Sequence, residues 1–189
     1  MESSVRTFIA VIIPDHIRQA IADFQGRLKS VGGDIRWVRP GSMHITLKFL
    51  GDVRESMINP VGDAVEKAIR GQAGFDITVS GTGCFPNIRR PKVLWVGIGE
   101  GANVLTGIVE GIESALEGLG FAREKRPYSA HLTLGRVRSP QGVEKTVAAM
   151  QQNIFSAGSY PADRVCVMKS ELKPSGSVYS VLRSIQLKG

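Results

Sequence analysis

The chain has 189 residues and is 42% hydrophobic, which is enough for one packed domain or two small lobes that share a core. Its formal charge of +7 suggests an anionic partner, although basic composition alone does not indicate nucleic acid. No apolar run approaches the ~20 residues of a membrane span, and the first residues do not resemble a signal peptide, so we expect a cytoplasmic protein without a membrane partner.

Hydrophobic periodicity predicts strands that alternate with amphipathic helices along the chain. In the first half it predicts strands at 5–13, 44–51 and 75–81 and helices at 17–31 and 58–69. In the second half it predicts strands at 93–98, 131–137, 163–172 and 177–187 and helices at 104–119 and 142–152. The alternation favours a mixed α/β (α+β) fold, and no linker or low-complexity segment interrupts it.

A nine-residue stretch occurs twice. Residues 39–47 read RPGSMHITL and residues 126–134 read RPYSAHLTL, with six identical positions and an offset of 87. The same offset aligns several predicted strands and helices, which indicates a duplicated lobe. We therefore expect residues 1–189 to form a single two-lobed domain with approximate repeats at 5–86 and 92–187. Two antiparallel sheets would flank a central cleft, with the helices packed outside.

Each copy of the repeat places a histidine and a threonine two residues apart on a predicted strand. Because side chains alternate along a strand, His44 and Thr46 share one face while the aliphatic residues between and after them take the other. The same holds for His131 and Thr133. If the lobes face each other, the two histidines and two threonines meet in the cleft.

The pairing of two imidazoles with two hydroxyls suits displacement at phosphorus. One imidazole can act as general base and the other as general acid near neutral pH, while the threonines hydrogen-bond phosphate oxygens. A metal site is not favoured, because no Asp, Glu or Cys accompanies the histidines at ligand spacing. Cys84 and Cys166 are far apart in sequence and are interpreted as reduced core thiols.

Basic residues cluster around the second copy of the repeat. Residues 123–138 contain five arginines and lysines, Arg126 among them, and a single acidic residue, Glu124. A second cluster lies at residues 89–92. Arginine beside the histidines could offset the charge that develops on a reacting phosphate.

The paired HITL and HLTL motifs resemble the doubled His-x-Thr-x signature of the two-histidine phosphoesterase superfamily. Their flanks, RWVRP, LKFLG, CFPNIRRPKVLWVGI and RPYSAHLTLGRVR, resemble the branch formed by the RNA 2',3'-cyclic phosphodiesterases, also called 2'-5' RNA ligases. The resemblance covers nearly the whole chain. It implies a bilobal enzyme that hydrolyses 2',3'-cyclic phosphates on RNA or nucleotides to 2'-phosphates. We expect no cofactor or metal, since neither motif needs one, and we expect a monomer, although the sequence does not indicate the oligomeric state. Ligation of 2'-5' RNA ends is the reverse chemistry of the same site.

The resemblance also implies roles for individual residues. His44 and His131 would be catalytic, with His131 activating water and His44 protonating the departing O3', an order that the symmetry of the sequence cannot establish. Thr46, Thr133 and Arg136 would bind phosphate, and Phe49 would contact the base, with Arg126 as a further substrate contact. Phe49 and Arg136 each lie five residues beyond a histidine, where simple alternation points a side chain away from the histidine face. A β-bulge would restore them to that face, and Gly135 could permit one.

Two other functions are compatible with parts of the sequence. Residues 97–102, GIGEGA, match a dinucleotide-binding fingerprint, although a tight turn between strand and helix explains them equally well and is favoured by the duplication. A non-catalytic RNA-binding module would need the basic surface but not the paired histidines. Trp37, just before the first repeat, could rim the cleft.

Overall fold

The computed structural model describes residues 3–174 and 176–189. Its strands are β1 (Ser4–Ile12), β2 (Ile35–Trp37), β3 (His44–Arg54), β4 (Phe75–Phe85), β5 (Val93–Ile98), β6 (His131–Val137), β7 (Ser156–Ala162), β8 (Arg164–Lys173) and β9 (Gly176–Gln186). Its α-helices are α1 (Asp15–Val31), α2 (Ile58–Ala68), α3 (Ala102–Glu117) and α4 (Val143–Gln152), and short 3₁₀ turns span Pro40–Ser42 and Glu55–Met57. Every helix and strand expected from periodicity is present, within a few residues at its ends.

The strands form two sheets. The four-stranded sheet has the order β3-β1-β8-β9, and the five-stranded sheet has the order β2-β6-β5-β4-β7. All pairings between these strands are antiparallel. The predicted fold class, mixed α/β with two antiparallel sheets and helices outside, is confirmed.

Helices α1 and α3 each pack against the sheet to which the preceding strand does not belong. Helix α1 follows β1 of the four-stranded sheet but contacts β7 and α4, and α3 follows β5 of the five-stranded sheet but contacts β3 and α2. One face of α1 buries Ile17, Ile21, Phe24 and Leu28 at helical spacing. Because the helices cross between the sheets, one continuous apolar cluster joins both halves of the molecule.

Periodicity missed the two edge strands of the five-stranded sheet. Strand β2 has only three residues, and β7 (SAGSYPA) contains Pro161 and a glycine, Gly158, with a φ of 91°. Proline is tolerated at a sheet edge because no neighbour needs its missing N–H. Neither strand carries the alternating apolar pattern on which the other predictions relied.

The GIGEGA segment is a tight turn between β5 and α3. Gly101 has a φ of 84°, and a Cβ there would lie 2.6 Å from the backbone oxygen of Asp76. Strand β5 is antiparallel to both neighbours, whereas a dinucleotide fold needs a parallel β-α-β unit. The geometry therefore agrees with the interpretation of this segment as a turn.

Cys84 and Cys166 are buried and unpaired, as expected. Within the described residues, no helix is both long enough and apolar enough to cross a membrane.

Candidate active site in the cleft between the sheets

The two repeated motifs begin strands that border the same cleft. His44 is the first residue of β3 and His131 the first residue of β6, and both histidines are half-buried, as are Thr46 and Thr133. The alternate positions are buried in the core: Ile45, Leu47, Leu132 and Leu134. The structure thus brings both histidine-threonine pairs to one cavity of about 500 Å³.

The cleft has a strongly cationic lining. Its arginines are Arg6, Arg36, Arg39 and Arg136, and no acidic side chain lines it among the described residues. Arginine carries its charge at every physiological pH and presents a planar set of donors that matches phosphate oxygens. An uncompensated group of this kind is suited to a phosphate-bearing ligand.

Both imidazoles are held by the same backbone contact. Nδ1 of His44 lies 3.0 Å from the carbonyl oxygen of Ser42, and Nδ1 of His131 lies 2.7 Å from that of Ser129. A carbonyl can only accept, so Nδ1 carries the hydrogen and donates it. Nε2 is left as the ring nitrogen that can gain or lose a proton, which is the tautomer an acid-base pair requires.

Aromatic rings enclose His44. Its ring centroid lies 4.6 Å from that of Phe8 and 5.0 Å from that of Tyr179. Burial among these rings lowers the pKa of His44 from 6.5 to about 4, and the hydrogen bond to the Ser42 carbonyl opposes this only in part. This environment therefore favours a neutral imidazole at neutral pH.

His131 has a comparable environment on the other sheet. The ring of Phe85 approaches it edge-on at 5.0 Å, and Trp95 lies 6.5 Å away. Burial lowers the pKa of His131, the hydrogen bond to Ser129 raises it, and the nearby positive charge of Arg136 lowers it further. Both histidines are thus biased towards the neutral form.

A β-bulge in β3 brings Phe49 to the histidine face. Thr46 pairs with Ala10 and Phe49 pairs with Phe8. Between these two pairs β3 advances by three residues and β1 by only two. The extra residue, Leu47, resets the alternation of side chains. Phe49 consequently lines the cleft instead of pointing into the core, and 54% of it is exposed.

Strand β6 has a bulge at the equivalent place. Thr133 pairs with Trp95 and Arg136 pairs with Val93. Between these two pairs β6 advances by three residues and β5 by only two, so Leu134 is the extra residue. Arg136 is therefore turned into the cleft. The bulge that the sequence required for Arg136 is present.

Gly135 contributes space to this bulge. A Cβ at Gly135 would lie 2.6 Å from Cγ2 of Ile35 and 3.3 Å from the ring of Trp37. The missing side chain lets the edge strand β2 pack closely over β6. Trp37 is part of the cleft lining, as the sequence suggested it could be.

A buried ion pair fastens the bulge of β3 from the core side. Nζ of Lys48 donates to Oε2 of Glu113 on α3 at 2.5 Å and to the carbonyl oxygen of Ala122 at 2.8 Å. The backbone N–H of Glu124 donates to the same carboxylate at 3.3 Å. Lys48 and Glu113 are 5% and 8% exposed. The pair ties β3, α3 and the segment leading to His131 together.

Gln25 on α1 fastens the bulge of β6 in a similar way. Its side-chain Nε2 donates to the carbonyl oxygens of Leu134 at 2.8 Å and Val38 at 2.9 Å. Leu134 is the extra residue of that bulge, and Val38 lies between β2 and the first repeated motif. Gln25 is fully buried, so these bonds replace water for backbone groups inside the core. Each bulge therefore has its own buried polar anchor on a helix.

Sequence reasoning did not identify these anchors, nor Arg6, Arg36, Arg39 and Tyr179 as cleft residues. Lys48 gave no signal, because a lysine after Leu47 fits ordinary alternation and only the structure shows that both residues are buried. Arg126 is exposed and does not line the cleft. Within the described residues, no group of three or more His, Cys, Asp or Glu side chains is placed to hold a metal ion.

A two-lobed fold with paired His-x-Thr strands on a cationic cleft defines a two-histidine phosphoesterase. Residues 11–95 and 96–179 each match the sequence model of the LigT-like phosphoesterases. The chain belongs to this family, which confirms the resemblance seen in the sequence.

Curated relatives match over nearly their full length. The RNA 2',3'-cyclic phosphodiesterase of Methanothermobacter thermautotrophicus is 33% identical over 185 residues, covering 97% of this chain and 99% of the relative. The protein of the same name from Thermotoga maritima is 31% identical over 186 residues, covering 98% and 97%.

Solved structures share the fold. TT0787 of Thermus thermophilus has a TM-score of 0.80 at 28% identity, covering 97% of this chain and 98% of its own. E. coli LigT complexed with 3'-AMP also has a TM-score of 0.80, at 22% identity, covering 99% and 100%.

We predict that Lys48→Met destabilises the protein by about 3–5 kcal/mol, because it leaves the Glu113 carboxylate buried without its counter-charge. The double variant Lys48→Met/Glu113→Met should recover most of this loss. Urea unfolding measures both free energies, and Lys67→Met on the exposed side of α2 is the matched control. A single variant as stable as the wild type would contradict the structural role of the pair.

Proposed function

We propose that this chain hydrolyses RNA 2',3'-cyclic phosphate ends to 2'-phosphates by acid-base catalysis between two histidines. The observation that carries the proposal is the cleft that joins both histidine-threonine pairs to four arginines, with no acidic side chain in its lining among the residues that the structure describes. The names of the curated relatives support the same activity. A non-catalytic RNA-binding module is not favoured, because RNA binding would not need two histidine side chains held in the same cleft.

We assign the general base to His131 and the general acid to His44, following the family resemblance. Nε2 of His131 takes a proton from water as the water oxygen attacks phosphorus. The bond from phosphorus to O3' breaks, and Nε2–H of His44 delivers a proton to that oxygen. The products are a 2'-phosphate and a 3'-hydroxyl, and one proton has passed from His44 to the product while one has been gained by His131.

The phosphate is held by hydroxyl and guanidinium groups in this proposal. Thr46 and Thr133 lie two residues beyond the histidines on the same strand faces, where their hydroxyls can donate to non-bridging oxygens. Arg136 faces the same cleft and offsets the negative charge that develops there. The groups are fixed before substrate arrives, so the reaction requires little reorganisation of the protein.

Phe49 is our candidate contact for the base. The guanidinium carbon of Arg6 lies 5.2 Å from the centre of its ring, and the ring of Phe8 stacks on it at 5.8 Å. These contacts hold an exposed aromatic surface at the edge of the cleft, where a base can stack. Arg126, outside the cleft, is retained as a contact for longer RNA.

Substrate binding would favour protonation of the proposed general acid, His44. Because burial lowers the pKa of His44 to about 4, its imidazole is mostly neutral at neutral pH when no substrate is bound. A bound phosphate anion favours the imidazolium form and raises the pKa of the adjacent histidine. His44 would therefore become protonated mainly when a substrate is present.

The same site would support ligation if an RNA 5'-hydroxyl replaced water. We also propose a cytoplasmic monomer, which is compatible with the free cysteines.

The proposed duplication is supported by the strand order of the two sheets. The offset of 87 residues places β3 on β6, β1 on β5 and β8 on β4. The order β3-β1-β8 in one sheet therefore corresponds to the order β6-β5-β4 in the other.

We predict that His44→Ala and His131→Ala each lower kcat by on the order of 10²- to 10⁴-fold, because each removes one proton-transfer group. Thr46→Ala and Thr133→Ala should cost less, and binding should persist in all four variants. His16→Ala is the matched control, since His16 is exposed and outside the cleft. Hydrolysis of a nucleoside 2',3'-cyclic phosphate measures the effect, and nearly full activity in both cleft variants would end the two-histidine mechanism.

The two histidines can be told apart with a substrate whose leaving group departs without protonation. Such a substrate should restore turnover to the variant that lacks the acid, His44→Ala, and leave His131→Ala slow. If this substrate restored turnover to His131→Ala instead, the assignment of acid and base to the two histidines would be reversed.

The pH dependence should differ between kcat/KM and kcat. The kcat/KM profile reports the free enzyme, in which burial lowers the pKa of both histidines, so its bell should be centred below the usual value of 6.5. The kcat profile reports the complex, where bound phosphate raises these pKa values, so it should be centred at higher pH. If the kcat/KM and kcat profiles coincided and were both centred above pH 6.5, the proposed link between substrate binding and histidine protonation would be contradicted.

Turnover should not need a metal, because side chains supply both proton transfer and charge stabilisation. Treatment with EDTA followed by dialysis should leave kcat/KM unchanged. Complete loss of activity that zinc or magnesium restores would overturn this account of the site.

A further inference from the structure

Two arginines face each other across the edge of the five-stranded sheet. Arg36 on β2 is the direct cross-strand partner of Arg136 on β6, so the two side chains lie on the same face. Like charges in directly opposed positions destabilise a sheet unless something neutralises them. Both residues are exposed, and neither forms an ion pair with any acidic side chain in the part of the chain that the structure describes.

The position of this pair relates it to the reaction. The bulge at Leu134 turns Arg136 towards His131, and the charge of Arg136 acts on that histidine. Arg36 lies one strand further out, a spacing of about 4.8 Å, at the open edge of the sheet. Both arginines line the cleft. Positive charge therefore continues from the proposed reaction centre to the rim of the cleft.

The residues that flank Arg36 on β2 do not supply an anion, and no ion pair joins Arg36 to Asp34, two positions earlier. On β2 Arg36 is flanked by Ile35, which is buried, and Trp37, which packs over Gly135. The third cationic residue of this segment, Arg39, lines the same cleft and adds positive charge. This wall of the cleft therefore carries uncompensated positive charge, which a bound anion would relieve.

We propose that Arg36 forms a subsite for a second phosphate group, beside Arg136, which faces the cyclic phosphate of the substrate. This proposal rests on the proposed function. The ligand chemistry is a phosphate oxygen anion on the same nucleotide chain, which either the neighbouring phosphodiester of an RNA strand or the 5'-phosphate of a nucleotide would supply. Arg36 is then a specificity residue that favours substrates with more than one phosphate over a simple nucleoside cyclic phosphate.

Three substrates test the subsite: adenosine 2',3'-cyclic phosphate, the same compound with a 5'-phosphate, and a diadenylate ending in a 2',3'-cyclic phosphate. The measured quantity is the preference, the ratio of kcat/KM for each longer substrate to that for adenosine 2',3'-cyclic phosphate. We expect Arg36→Gln to reduce the preference about tenfold through KM, because a charge-assisted bond to one phosphate is lost. Arg36→Lys should retain part of it, since its charge remains.

Arg70→Gln is the matched control, because Arg70 is an exposed arginine beyond α2 that does not line the cleft. It should keep the wild-type preference. The slope of the logarithm of diadenylate affinity against the logarithm of salt concentration should also become shallower in Arg36→Gln, by the amount expected for about one phosphate contact. The slope should stay unchanged in Arg70→Gln.

The outcomes separate the subsite from the proposed function. If the wild type hydrolyses all three substrates but shows no preference, or if Arg36→Gln leaves the preference intact, the subsite is wrong and the phosphodiesterase activity stands. If the wild type hydrolyses none of them, the proposed function fails. A preference for both longer substrates identifies any second phosphate as the ligand, and a preference for the diadenylate alone identifies the phosphodiester of the RNA chain.

Discussion

One extra residue in each histidine strand determines what the cleft contains. Without the bulge at Leu134, strict alternation would turn Arg136 into the core, and the same holds for Leu47 and Phe49 on the other sheet. Buried backbone groups at a bulge need hydrogen-bond partners. The carbonyl oxygen of Leu134 has two, because the backbone N–H of Val38 and the side-chain amide of Gln25 both donate to it. A buried polar side chain therefore lies behind each bulge, Gln25 in one lobe and Lys48 in the other.

The two anchors are chemically different although the bulges are alike. The lobe of β6 uses a neutral amide, whereas the lobe of β3 uses the Lys48–Glu113 ion pair. A buried ion pair stabilises little overall, but loss of one partner is costly because the remaining charge stays buried. The pair also holds the segment that leads to His131. The position of one histidine strand is thus coupled to the packing of the other.

Periodicity predicted the helices and the long strands because each buries a regular apolar face. It failed for β2 and β7, which are short or interrupted by proline and gain their pairing only from neighbours distant in sequence. At the site, the duplication identified the histidines and threonines, since both copies share local sequence. Arg36 and Tyr179 have no such signal, because tertiary contacts alone bring them to the cleft. Local sequence therefore specified the proposed reacting groups, and long-range packing specified their surroundings.

Burial biases both histidines towards the neutral form. It lowers the pKa of His44 and that of His131, and the positive charge of Arg136 lowers the pKa of His131 further. A bound phosphate anion would oppose this bias, because it stabilises the imidazolium beside it and neutralises guanidinium charge. Protonation of the proposed acid and occupancy of the site would therefore be thermodynamically linked.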